Sequence, residues 1–166
     1  MATSESGPMR GNRILPMLVV GVALGCAPPP PTFGAAQRAQ VASEIRLRLD
    51  QYAAAVTAKD LDGILSFWSD SLVFAGDGAI LGGYDEWAPI ARQDNETTDR
   101  WIHWTWDNVH ILPLSPEAGS ATVEVTYQKI LLTGDTVNGS GSWTFVLRRE
   151  PEGWQVVHGN GHHLVR

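Results

Sequence analysis

Cysteine is nearly missing: Cys26 is the only one among 166 residues, so no internal disulfide can staple this chain. Positive charge is scarce as well. Twelve Lys and Arg stand against eighteen Asp and Glu, a formal net charge of −6. A surface of that sign repels phosphate backbones and anionic lipid, which excludes nucleic acid as a partner and leaves no electrostatic basis for direct membrane binding. The main apolar run, Ile14 to Gly25, is too short to span a bilayer. Internal repeats are absent, and low complexity is confined to Pro28 to Pro31. Gly76-Asp77-Gly78 has Leu81 where a dinucleotide loop needs its third glycine, and an acid in that loop would repel pyrophosphate. Gly139-Ser140-Gly141-Ser142 lacks the pattern of a hydrolase nucleophile elbow. No motif here calls for a cofactor.

The short apolar run suits the core of a signal peptide. Arg10 and Arg13 precede it, and it ends on Ala23-Leu24-Gly25, with small residues at the two positions a signal peptidase reads. The expected organisation is a signal peptide over 1–26, a stiff Pro-rich linker over 27–35 and one domain over 36–166. Cys26, directly after the leader, resembles the lipidation site of bacterial lipoproteins, although Ala23 and Leu24 stand where that pattern prefers Leu and a small residue. The chain therefore reads as an exported bacterial protein, either a periplasmic or membrane-anchored lipoprotein or one simply secreted. Its only expected membrane contact is the lipid anchor at Cys26.

Beyond the linker, Val41, Ile45, Leu49, Tyr52 and Val56 recur at steps of four, four, three and four, one face of an α-helix running from about Ala35 to Ala58. Asp60 is the N-cap of a second, short helix with Asp62 in its first turn. Trp68 to Ala75 reads as a strand, and glycines at 76, 78, 82 and 83 bend the chain around Ile80-Leu81. A third helix runs from Tyr84 to about Asn95, with Pro89 placed near its first turn. From Arg100 the period changes to two. Strands are predicted at roughly 101–112, 120–132, 139–149 and 155–165, separated by Pro, Gly, Asp and Asn clusters short enough to join antiparallel neighbours. Helices first and a meander afterwards give an α+β domain in which a curved, mainly antiparallel sheet wraps a helical layer.

Tyr52 with Val56 and Asp60, the run DLDGILSFWSDSLVF from Asp60, the helix start Gly82-Gly83-Tyr84-Asp85-Glu86 and the closing Gly153-Trp154-Gln155-Val156-Val157-His158 are similar to the nuclear transport factor 2-like superfamily. Within it the resemblance is to SnoaL-like polyketide cyclases, ketosteroid isomerases and exported members. That resemblance implies a cone-shaped fold with helices in the concave face of the sheet, a pocket at the open end, and a homodimer formed through sheet faces.

In such a cone, ketosteroid isomerase uses a carboxylate base with a tyrosine and a protonated aspartate around the oxyanion, one of the standard cases of tuned acidity. Tyr52 falls where the resemblance puts its first-helix tyrosine, whereas Gly76 occupies the base position. Asp77 is next door and reaches the pocket only if the glycines bulge the chain; otherwise it is a turn residue. On the strand predicted at 101–112, His103 alternates with Trp101, Thr105 and Asp107, which makes one face polar and leaves Ile102, Trp104 and Trp106 on an apolar one. In the last strand, His158, Asn160 and His162 share parity with Trp154 and Val156, and His163 points the other way. No metal site is expected, since four residues of strand separate His158 from His162 by roughly 13 Å.

Seven tryptophans are many for this length, and indoles supply either core contacts or flat walls for apolar guests. Three functions follow. The first is capture of a small apolar or aromatic molecule among Tyr52, Trp68, Trp101, His103, Tyr127, Asn160 and His162. The second is cofactor-independent isomerase or lyase chemistry, with His103 or Asp77 moving a proton and a tyrosine holding an oxyanion. The third is a structural dimerisation module whose cone is filled by its own indoles.

Overall fold

The computed structural model describes residues 33–165. The expected signal peptide, Cys26 and most of the expected linker lie outside the described residues. The chain then forms α1 (Ala35–Ala58), α2 (Leu61–Ser66), β1 (Trp68–Gly76), β2 (Ala79–Leu81), α3 (Tyr84–Thr97), β3 (Thr98–Ser115), β4 (Ala118–Leu131), β5 (Thr136–Glu150) and β6 (Gly153–Val165).

All five residues of the predicted α1 face are buried, with Ala55 added to them. The helix stops where Lys59 enters the left-handed region at φ 58°, its N–H turned back onto the Ala55 and Val56 carbonyls. Asp60 caps α2, accepting the Gly63 N–H at 3.1 Å. Only the placement of Pro89 differs. It lies in the second turn of α3, where its missing N–H deprives the Asp85 carbonyl of a helical partner on an exposed face.

The six strands form one mixed sheet in the order β2-β1-β6-β5-β4-β3. Strands β3 to β6 make the antiparallel meander, β1 and β2 are antiparallel, and β1 runs parallel to β6. After β2 the chain crosses by α3 to the far edge and works back until β6 lies beside β1. The helices pack within the curve of the sheet, and one continuous core joins Ile45 and Leu49 of α1 to Val123, Val125, Phe145, Leu147 and Val156 of the sheet.

Among the register shifts of the sheet, two β-bulges decide on which face the candidate histidines lie. In β3 the pairing moves from Trp101↔Lys129 to His103↔Gln128, so one extra residue sits in the strand. The insertion exchanges the two faces: Trp101, Trp104 and Trp106 all turn inward, while Ile102, His103, Thr105 and Asp107 are exposed. In β6, Leu147 pairs with Val156 but Val146 pairs with His158, leaving Val157 as the extra residue. Beyond it Gly159, Gly161 and His163 face the concave side, and His158, Asn160 and His162 are exposed. Strict alternation therefore assigns the wrong side to His103, Asn160, His162 and His163.

Candidate functional site

A cavity of about 680 Å³ opens between α1, α3 and the concave faces of β1, β3, β4, β5 and β6. Eight Phe, Tyr and Trp side chains line it. Tyr52 stands at the centre, with ring centroids 4.4 Å from Phe67, 6.0 Å from Trp68, 5.8 Å from Trp106 and 6.2 Å from Trp104. Trp68 meets Trp87 of α3 at 4.4 Å, and Trp104 stacks on Tyr127 at 5.3 Å and 17°. Such edge and offset contacts satisfy the ring quadrupoles and hold the walls rigid.

The glycines of β6 make this packing fit. A Cβ on Gly159 would lie 2.7 Å from the Phe74 ring, and one on Gly161 would lie 2.9 Å from Trp143. Both rings occupy space that any other residue would need. Gly139 plays the same part under Tyr127, whose ring fills the place of the missing side chain.

Of the residues singled out from sequence, Tyr52, Trp68, Asp77, Trp101 and Tyr127 line the cavity. His103, Asn160 and His162 do not, because the two bulges carry them to the opposite face. There His162 borders a shallow depression with Glu124, Thr126 and Ser142. Among the described residues no three His, Cys, Asp or Glu side chains converge as metal ligands would.

The acid–base group the structure does assemble is Asp77 with His163. Asp77 and Gly78 form the two-residue turn between β1 and β2, both at positive φ (49° and 84°), as a tight hairpin requires. Being a turn residue does not remove Asp77 from the cavity. Its Oδ1 accepts the backbone N–H of His163 at 2.8 Å, and its Oδ2 lies 3.1 Å from the ring Nδ1. Burial works to raise the Asp77 carboxyl, but the hydrogen bonds from the His163 backbone and ring and the two nearby imidazoles outweigh it and hold the group below the ordinary carboxylate range. The His163 ring is braced edge-on against Trp143 at 4.6 Å and Tyr127 at 5.9 Å. With Nδ1 committed to Asp77, Nε2 is the ring nitrogen left for a guest.

A second polar group lies deeper. Lys129 of β4 is paired with Asp94 of α3, its side chain 11% exposed and its ammonium 5.0 Å from the Trp101 ring centroid. Both residues line the cavity. Burial and the Asp94 carboxylate push the Tyr52 phenol to a pKa above its ordinary value; burial, then Asp94 and Asp77, do the same for Tyr127. Both phenols thus keep their protons at neutral pH and can only donate or accept hydrogen bonds as neutral groups.

Sequence reasoning missed His163, Asp94, Lys129 and Trp143. The alternating Gly159 and Gly161 were the available signal, since glycines on an inward face mark where neighbouring rings approach.

A family model described as a SnoaL-like domain matches residues 45–163. No curated protein matches the chain in sequence. Among solved structures, the chain is similar to a provisionally assigned scytalone dehydratase from Novosphingobium aromaticivorans, at 7% identity and TM-score 0.72 over 80% of this chain and 91% of that one. A ketosteroid isomerase-like protein from Erwinia carotovora atroseptica gives 18% identity and TM-score 0.62 over 74% and 95%. A hexachlorocyclohexane dehydrochlorinase gives 14% identity and TM-score 0.67 over 80% and 92%.

Proposed function

Since the chain belongs to the SnoaL-like domain family, we propose that its aromatic cavity binds a small, largely apolar cyclic molecule. The observation that supports this is the cavity itself: about 680 Å³, walled by rigid aromatic rings and carrying only a few convergent polar groups, the usual make-up of a small-molecule site. A purely structural module would gain nothing from leaving that volume empty, because unfilled apolar space costs stability. Native mass spectrometry of the full chain purified from its host tests it. A retained small molecule, or one taken up saturably from an extract, is the expected result.

Proton transfer on that guest is the second function, and Asp77 with His163 favours it. A carboxylate that fixes one ring nitrogen leaves the other poised to take a proton from bound substrate, and the tyrosines would hold the oxygen on which charge develops. The structural neighbours named for dehydration, dehydrochlorination and ketosteroid isomerisation support this direction. On this account the base is His163 held by Asp77, in place of the His103 expected from sequence. Exchange of ring-ketone α-hydrogens in D₂O, followed by NMR, should be accelerated by the wild type and lost in His163→Ala. Equal exchange by both proteins would leave binding alone.

The leader read over residues 1–26 would place this site outside the cytoplasm, by secretion or tethered through Cys26. The intact mass of the mature protein separates these outcomes: a diacylglycerol adduct on an N-terminal Cys26 marks the anchored form. A homodimer through sheet faces is proposed in turn, and sedimentation equilibrium tests it.

A further inference from the structure

We infer that Lys129 is a ligand-anchoring residue, and that the guest carries a neutral carbonyl oxygen hydrogen-bonded to its ammonium. This rests on the proposal that the cavity takes a cyclic guest and specifies the polarity of that guest.

The cavity walls include one fixed positive charge, and it is Lys129. An ammonium has three donors. Among the described residues its nitrogen meets a single hydrogen-bond acceptor, an Asp94 carboxylate oxygen, and it also lies over the face of Trp101. A buried cation is costly unless its donors are satisfied, so the part of the cavity beside Lys129 favours a guest that brings an acceptor.

The sign of the surroundings decides which acceptor. Asp77 and Asp94 both line the cavity against the one ammonium, so a carboxylate guest would add a third negative charge to a space that already has an excess of them. A ketone or quinone oxygen accepts from Lys129 without that repulsion.

The spacing fits as well. Lys129 pairs with Val137 and His163 pairs with Gly141, so the two functional residues stand four residues along and two strands across from each other. On a flat sheet that is roughly 16 Å between their Cα atoms. Both side chains line the same cavity of about 680 Å³, as do the stacked rings of Trp104 and Tyr127, a volume that suits a fused-ring body.

The test compares 1-tetralone with tetralin, the same bicyclic frame with and without the carbonyl, by calorimetric titration of the full-length protein. Wild type should bind both and prefer the ketone by about tenfold or more, the value of one charge-assisted hydrogen bond. In Lys129→Met the preference should vanish while tetralin still binds. The double variant Asp94→Asn with Lys129→Met removes both charges together and serves where the single variant does not fold. The carbonyl stretch of bound tetralone, read by infrared difference spectroscopy, should move to lower frequency in wild type and return towards its apolar-solvent position in the variant. Equal affinity for the two probes in wild type, or a ketone preference that survives loss of the ammonium, overturns the role of Lys129 and leaves the cavity proposal standing. Failure of both probes to bind wild type counts against the cavity proposal and this inference together.

Discussion

The Trp106 indole N–H donates to the Leu49 carbonyl at 2.8 Å, tying the middle of β3 to the helix that it wraps. The bond is buried, and Trp106 also stacks on Tyr52 at 5.8 Å. Trp106→Phe removes the donor and part of the ring, so unfolding free energy should fall by about 1–3 kcal/mol. Urea denaturation measures it, and an unchanged midpoint would show that the indole is not what joins these elements.

Gly139→Ala should be costly for a different reason. Its new Cβ would occupy the position of the Tyr127 ring and push that ring into the cavity. Overpacking of this kind costs about 1–3 kcal/mol, and guest affinity should drop with it. Gly82, where an added Cβ meets only the end of the Glu86 side chain at 3.6 Å, is the control. Gly82→Ala should leave both thermal stability and binding close to wild type.

Asp77 makes stability depend on pH with a definite sign. Its carboxyl titrates below the ordinary value of 3.8 because His163 hydrogen-bonds the ionised form. A group depressed in the folded state contributes stability that is fully present above its unfolded value and is lost as pH falls through its folded one. Wild type should therefore be more stable than Asp77→Asn at pH 7, and the two unfolding temperatures should converge as the pH drops below 3.8. A constant difference across that range would mean that the charge of Asp77 contributes nothing to its bond with His163.

Much of the fold was legible because helices and turns are written locally. The predicted α1 face is buried as read, Asp60 caps α2 as its chemistry dictates, and the four later strands fall where the alternation places them. The candidate site was legible only in part. Tyr52, Trp68, Trp101 and Tyr127 reach the cavity, but an inserted residue near Ile102 and another at Val157 exchange the faces beyond them, and a bulge depends on register with a partner strand that local pattern does not reveal. That is why the alternation points to His103 and His162 in place of His163. The polar pairs of the cavity join residues 86 apart for Asp77 and His163 and 35 apart for Asp94 and Lys129, contacts that exist only once the sheet has curved.

Uptake of a small molecule from a host extract, read by native mass spectrometry on wild type and on Val137→Trp, bears most directly on the central claim. Val137 lines the cavity from β5, and an indole there would fill much of the space between Lys129 and Tyr127. Wild type should retain a saturable adduct of drug-like mass, on the order of 200–400 Da, and the filled variant should lose it while remaining folded. No adduct on wild type, or the same adduct on both proteins, would contradict the account.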